Sequence, residues 1–202
     1  MIVKICGITN EEDALAAAEA GAAAVGFNFY PASPRYIQPA QAARIARALP
    51  ASIWKVGVFV NAPPGQILGV CEEAGLDIAQ LHGDEPPDQL PRGIRLWKAF
   101  RAGQGWKQED IERFGVEAVL LDSGGPDLYG GSGRTLPWEQ LPRLKVRLIL
   151  AGGLDADNVR EAIRAVRPWG VDACSRLESR PGKKDLEKMT RFIKNALSEQ
   201  ES

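Results

Sequence analysis

Short apolar runs alternate with stretches of helical spacing along the whole chain. The runs fall at residues 2–6, 22–27, 53–59, 78–81, 94–100, 118–122, 148–151 and 169–173. They are nearly continuous rather than alternating, as parallel strands are when helices cover their outer face. Between them, residues 11–19 carry Ala14, Leu15, Ala17 and Ala18. Residues 39–49 carry Ala42, Ala43, Ile45 and Ala46, and residues 64–74 carry Ile67, Leu68, Val70 and Cys71. Shorter helices are expected over 86–90 and 107–114, with a still shorter segment at 137–141. Asp155 is expected to cap a helix bearing Val159, Ala162, Ile163 and Val166, spaced i, i+3, i+4, i+7. Asp185 is expected to cap another, bearing Leu186, Met189, Phe192, Ile193 and Ala196. The polar tail after residue 197 is expected to fray.

Eight strands, each followed by a helical segment, give about 25 residues per unit and a single-domain α/β architecture over residues 1–202, the (β/α)8 or TIM barrel. An open, doubly wound sheet is the alternative. It would ordinarily stop at five or six strands, and its first turn would often carry G-x-G-x-x-G. Neither that pattern nor G-x-x-x-x-G-K-[ST] occurs.

Composition narrows the chemistry. A formal net charge of -1 over 202 residues gives no general attraction to nucleic acid or acidic membranes. No apolar run approaches the ~18 residues of a membrane span, and the N-terminus lacks a secretory leader pattern, so a cytoplasmic location is expected. Cys6, Cys71 and Cys174 are widely spaced, with no CxxC, which favours neither a disulfide framework nor a metal site. His82 is the sole histidine, so any His-based triad would have to use it.

In a barrel the C-terminal strand tips surround one mouth, and polar residues collect there. Strand one offers Cys6, backed by Gly7. The loop after strand two offers Asn28 and Arg35, and strand four Gln80 and His82. Strand six ends in Asp122, strand seven in Gly152 and Gly153. Strand eight offers Asp172, followed by Cys174, Ser175 and Arg176. Each has a plain reading as well: Cys6 as a small buried hydrophobe, Asp122 as an exposed turn carboxylate, Arg35 as a solvated charge. Together they exceed what a surface needs. The Asp122 loop, residues 123–135, contains five glycines and suits a segment that closes over substrate. Gly152 and Gly153, with the turn at Cys174, Ser175 and Arg176, suit a phosphate, the more so if a helix begins there. The Arg35 guanidinium suits a carboxylate.

The motifs Lys4-Ile5-Cys6-Gly7-Ile8-Thr9, Gln80-Leu81-His82-Gly83, Leu120-Leu121-Asp122, Gly130-Gly131-Ser132-Gly133 and Pro181-Gly182-Lys183-Lys184-Asp185 resemble those of the phosphoribosylanthranilate isomerases of tryptophan biosynthesis. Gly26-Phe27 through Ser33-Pro34-Arg35 does so too, and the likeness runs the whole length in order. It implies a barrel without metal or organic cofactor, acting as a monomer or homodimer on a phosphorylated small molecule. The implied reaction is the acid/base Amadori rearrangement of N-(5-phosphoribosyl)anthranilate to 1-(2-carboxyphenylamino)-1-deoxyribulose 5-phosphate. By resemblance Asp122 is the acid, Cys6 as thiolate the base, and Arg35 the anthranilate ligand. Gly152, Gly153 and residues 174–176 form the phosphate cradle, and Asp172 lies near the sugar. One departure stands out. The commoner pattern after strand eight is Asp-Val-Ser-Ser-Gly-Val-Glu, whereas Asp172-Ala173-Cys174-Ser175-Arg176-Leu177-Glu178 occurs here, with arginine at the usual glycine. If that position needs φ > 0, arginine would be strained. Strands one and eight are neighbours in a closed barrel, so Cys6 and Cys174 are candidates for an oxidative pair.

Two other readings compete. The histidine-pathway isomerase performs the same rearrangement on a larger bis-phosphate, but resembles a duplicated half-barrel with two aspartates. A catalytically silent barrel that binds phosphorylated metabolites would have no need of both Cys6 and Asp122.

Overall fold

The structure is a computed structural model, and it describes residues 1–101, 106–123, 138 and 145–199. Eight parallel strands close into a barrel in sequence order: β1 (Ile2–Ile5), β2 (Ala24–Asn28), β3 (Trp54–Phe59), β4 (Ile78–Leu81), β5 (Arg95–Arg101), β6 (Ala118–Asp122), β7 (Leu148–Leu150) and β8 (Gly170–Ala173). Closure comes from β1 pairing with β8, with Lys4 opposite Asp172 and Ile5 opposite Ala173. The helices are α1 (Glu11–Glu19), α2 (Pro39–Ala48), α3 (Pro64–Ala74), α4 (Gln108–Glu112), α5 (Val159–Val166) and α6 (Leu186–Ser198).

Side-chain alternation sorts each strand into two cores. Val3, Ile5, Val25, Phe27, Ala79, Leu81, Leu150 and Val171 face outward and pack under the helices. Ala24, Val56, Ile78, Trp97, Ala99, Ala118, Leu120 and Ile149 fill the barrel interior. At the N-terminal mouth, Trp54, Trp97 and Trp169 form a triangle with ring centroids 6.1–6.3 Å apart. Arg95 lies 4.4 Å over Trp54. The strands look continuously apolar in sequence because both faces are buried.

Element ends follow local chemistry. Asn10 caps α1 by accepting from the Asp13 N–H, and Asp185 caps α6 by accepting from the Lys188 N–H. Asp155 does not begin its helix directly. Its carboxylate accepts from the Asp157 and Asn158 N–H groups, forming one turn before α5. The expected segment at 86–90 is a 3-10 turn, Pro87–Gln89. The helix considered after β8 is also only a 3-10 turn, Ser175–Leu177. It leads into a hairpin of β9 (Glu178–Arg180) and β10 (Lys183–Lys184) that the apolar pattern does not signal. The short segment expected at 137–141, apart from residue 138, and the glycine-rich loop at 124–135 lie outside the described residues.

Candidate active site

The inward phase that fills the barrel with apolar groups becomes polar near its C-terminal mouth. On β1 it runs Lys4 to Cys6, on β4 Gln80 to His82, on β6 Leu120 to Asp122, and on β8 Asp172 to Cys174. Lys4 is fully buried and donates to Asp172 Oδ1 at 2.8 Å. Their cross-strand register makes this contact. Burial pushes the Asp172 carboxyl up to about 6, against the pull of Lys4. Burial also opposes charge on Lys4, but Asp172 and Cys6 together outweigh it and raise its pKa.

Cys6 sits one residue past β1, and its N–H donates to the Ala173 carbonyl at 2.9 Å. Its thiol is held well below the ordinary range. A hydrogen bond from the Cys174 thiol is the main cause and outweighs burial, and Lys4 adds to it. Cys174 moves the other way, raised by the same hydrogen bond. Cys71 lies on the buried face of α3, where burial alone pushes its thiol up to about 12. That agrees with its expected place among the apolar positions of residues 64–74. Gly7, with φ of 74°, is bare for a reason internal to the protein: a Cβ there would meet Arg35 Cδ and the Cys174 sulfur, each at 2.8 Å.

Asp122 is buried, with His82 Nε2 at 3.4 Å from its Oδ2. Gln80 Nε2 lies 3.1 Å from His82 Nδ1. If Gln80 donates there, the imidazole proton is on Nε2, facing Asp122.

One cleft is lined by Asp122, Gly152, Gly153, Asp172, Cys174, Ser175 and Arg176, among others. Gly152 and Gly153 have φ of 87° and 65°. A Cβ at Gly152 would collide with the backbone and side chain of Ser123. Arg176 is absent from the non-glycine residues with positive φ, so arginine carries no backbone strain there. Its Nη1 donates to Asp155 Oδ2 at 2.7 Å, tying the turn after β8 to the turn before α5. Among the described residues, no group of three or more His, Cys, Asp and Glu could hold a metal ion.

A sequence profile described as N-(5'phosphoribosyl)anthranilate (PRA) isomerase matches residues 3–195. The chain belongs to the phosphoribosylanthranilate isomerase family. An N-(5'-phosphoribosyl)anthranilate isomerase from Solibacter usitatus is 48% identical over 193 residues, covering 96% of each chain. The phosphoribosyl anthranilate isomerase of Thermotoga maritima is 45% identical, with a TM-score of 0.88 over 98% of this chain and 100% of that one. Another such isomerase, solved with reduced 1-(o-carboxyphenylamino)-1-deoxyribulose 5-phosphate, is 43% identical. Its TM-score is 0.80, again over 98% and 100%.

The arginine that family resemblance gives to the anthranilate carboxylate is already engaged. Arg35 Nε and Nη2 donate to Glu178 Oε1 and Oε2 at 2.8 and 2.7 Å. A ligand carboxylate must therefore approach its Nη1 edge or displace Glu178. Lys184 Nζ donates to the same Glu178 Oε1 at 3.1 Å and to the Cys174 carbonyl at 3.2 Å. Lys4, Glu178 and Lys184 are the residues that reading strand tips passes over. Lys4 was findable, because it is the polar residue two positions before Cys6 and so shares its inward phase. Glu178 and Lys184 depend on a hairpin that only the folded chain reveals.

Proposed function

We propose that this barrel isomerises N-(5-phosphoribosyl)anthranilate to 1-(2-carboxyphenylamino)-1-deoxyribulose 5-phosphate in tryptophan biosynthesis, with Asp122 as general acid and Cys6 as general base. Family membership supports the reaction. The observation that carries the roles is the pairing of environments at one mouth. Cys6 has a hydrogen-bond donor and a buried lysine beside it, which favour the thiolate. Asp122 lines the same cleft as the two glycines, with His82 behind it.

In this reading the phosphate lies against Gly152, Gly153 and the turn at Ser175. Asp122 protonates the ribose ring oxygen, the C1–O bond breaks, and the nitrogen lone pair completes a Schiff base at C1. Cys6 thiolate then takes the C2 proton, and the C2–H electrons form the C1–C2 double bond of an enolamine. A proton returns to C1 as the 2-hydroxyl loses its own, giving the ketone with no net change in composition. Asp172, held by Lys4, faces the ribose; Arg35 meets the anthranilate carboxylate. One relative from Thermotoga maritima is described as dimeric, and a monomer or homodimer in the cytoplasm is the proposed state. Among the described residues no helix is long and apolar enough to cross a membrane.

The test is a coupled fluorescence assay in which phosphoribosylanthranilate is generated in situ and its loss followed. Each proton transfer is worth ~10²–10⁴ in rate, so Cys6→Ser and Asp122→Asn should each lose at least that much kcat. Wild-type turnover by Cys6→Ser would overturn the base. A folded wild type without activity would overturn the reaction.

A further inference from the structure

Two charged side chains buried beside the mouth play no part in the reaction as derived. Lys98 of β5 and Glu85, in the loop after β4, meet at 3.1 Å, their side chains only 4% and 6% exposed. Lys98 is out of the inward phase that Trp97 and Ala99 follow, so it reaches the tip of β4 from outside the barrel. There its Nζ lies 5.5 and 5.7 Å from the ring centres of Phe100 and Phe114. It donates to the Gly83 carbonyl at 2.7 Å and to the Leu81 carbonyl at 3.4 Å, on the two residues that flank His82. A further hydrogen bond, to the Ala99 carbonyl at 3.1 Å, ties the ammonium to β5. Glu85 completes the grip. Both its oxygens accept from the Gly83 N–H at 3.1 Å, and Oε1 also accepts from the Asn61 N–H at 2.8 Å. Asn61 Oδ1 in turn accepts from the Asp84 N–H at 2.7 Å. Gly83 is bare because a Cβ there would collide with Asn61 Oδ1 and Glu85 Oε1.

We propose that Lys98 and Glu85 are positioning residues for the isomerisation, which fix the tip of β4 so that His82 keeps its place against Asp122. His82 Nε2 lies 3.4 Å from Asp122 Oδ2, and its Nδ1 lies 3.1 Å from Gln80 Nε2. Those contacts set the ring only while the backbone beneath it is fixed. The His82 N–H donates to the Phe59 carbonyl at 2.8 Å, and the residues on either side are held by the ion pair. Stability alone does not call for such a pair, since well-packed apolar residues often serve as well or better in its place. Geometry does call for it, because the Gly83 carbonyl needs a donor and its N–H an acceptor, both at fixed places. The inference rests on Asp122 as general acid, and its test separates the two.

His82 is the sole histidine, so its nitrogen-15 imidazole signals are unambiguous. The variant Lys98→Met/Glu85→Gln removes both charges together and strands neither. Its imidazole signals should move from the wild-type positions, and kcat should fall about ten- to a hundredfold with KM within about twofold. The fall should vanish in a His82→Ala background, where there is no ring to place. Asn61→Gly suits the positive φ of 52° at that position, keeps the N–H to Glu85, and should change the same readouts in smaller measure. Unmoved imidazole signals in both variants overturn the inference. So does an unchanged kcat, or a fall equal in the wild-type and His82→Ala backgrounds, which marks packing alone. Asp122→Asn turning over at the wild-type rate overturns instead the acid assignment on which the inference rests.

Discussion

Replacing Lys4 with methionine isolates what the buried lysine does. The side chain is fully buried and holds Asp172 at 2.8 Å, with Asp172 itself nearly so. Removing one partner of such a pair costs about 3–5 kcal/mol, because the other charge is stranded. The stranded carboxyl has one escape, which is to take up a proton. In the wild type the carboxyl ionises only above about 6, so being held protonated at pH 7 adds about 1.36 × (7 − 6), or ~1.4 kcal/mol, to the gap between variant and wild type. That part of the cost is pH-dependent; the rest is the lost contact with Lys4 and is not. In the variant the folded state carries a proton on Asp172 that the unfolded state lacks, so stability falls as pH rises. In the wild type Asp172 is ionised above about 6, and this group contributes no slope there. The gap between the two should therefore widen by about 1.4 kcal/mol per unit from pH 6 to 8 and level off below. Urea denaturation followed by tryptophan fluorescence reads it, in a Cys6→Ser background so that the neighbouring thiol does not titrate. Adding Asp172→Asn should flatten the gap. A gap equal at pH 6 and pH 8, or one that Asp172→Asn leaves sloping, would refute the reasoning.

Two further outcomes follow from the same mouth. Glu178→Gln should cost about 1–3 kcal/mol at neutral pH, since it removes the charge in a nearly buried double hydrogen bond to Arg35. Burial pushes the Glu178 carboxyl up, but Arg35 and Lys184 outweigh it and depress the folded value below the ordinary 4.5. Its contribution is thus present above 4.5 and lost as pH falls through the folded value, so wild type and variant should converge in acid. Hydrogen peroxide should oxidise the Cys6 thiolate to a sulfenic acid, and Cys174 should then condense with it, releasing water and forming a disulfide. Paired strands run about 4.8 Å apart, within the ~4.4–6.8 Å Cα range a disulfide takes. Activity should fall and return with dithiothreitol, whereas Cys174→Ser should not show the disulfide mass or that recovery. Equal inactivation and recovery of both proteins would sink this prediction.

The barrel was legible because its strands obey a simple rule. Runs of 4–7 apolar residues at regular spacing have one stable arrangement when both faces must be buried, and all eight expected strands occur within a residue or two of their expected ends. The site was legible in part through the same alternation. Counting by twos from the interior residues Leu120 and Ile78 reaches Asp122, Gln80 and His82, and counting back from Cys6 reaches Lys4. Strand-tip reading alone stops at the last residue and so passes over Lys4, which lies deeper. The consequence is chemical: without Lys4 one cannot explain why Asp172 is buried, or what besides Cys174 favours charge on Cys6.

What sequence spacing could not reach lies where the chain leaves the barrel rule. Residues 175–185 hold neither periodicity, yet their turn and hairpin bring Glu178 and Lys184 back to the rim, 143 residues along the chain from Arg35 in the case of Glu178. The resulting network changes how Arg35 is understood. A guanidinium in a loop stiffened by Pro31 and Pro34 reads as an open grip for a carboxylate. In the folded chain two of its three nitrogens are already spent on Glu178, and Glu178 in turn is shared with Lys184 and faces Cys174. The arginine, the hairpin glutamate, Lys184 and the Cys174 thiol therefore form one connected set of contacts, with Arg35 and Lys184 both holding Glu178 and the Cys174 sulfur 3.9 Å from its Oε1.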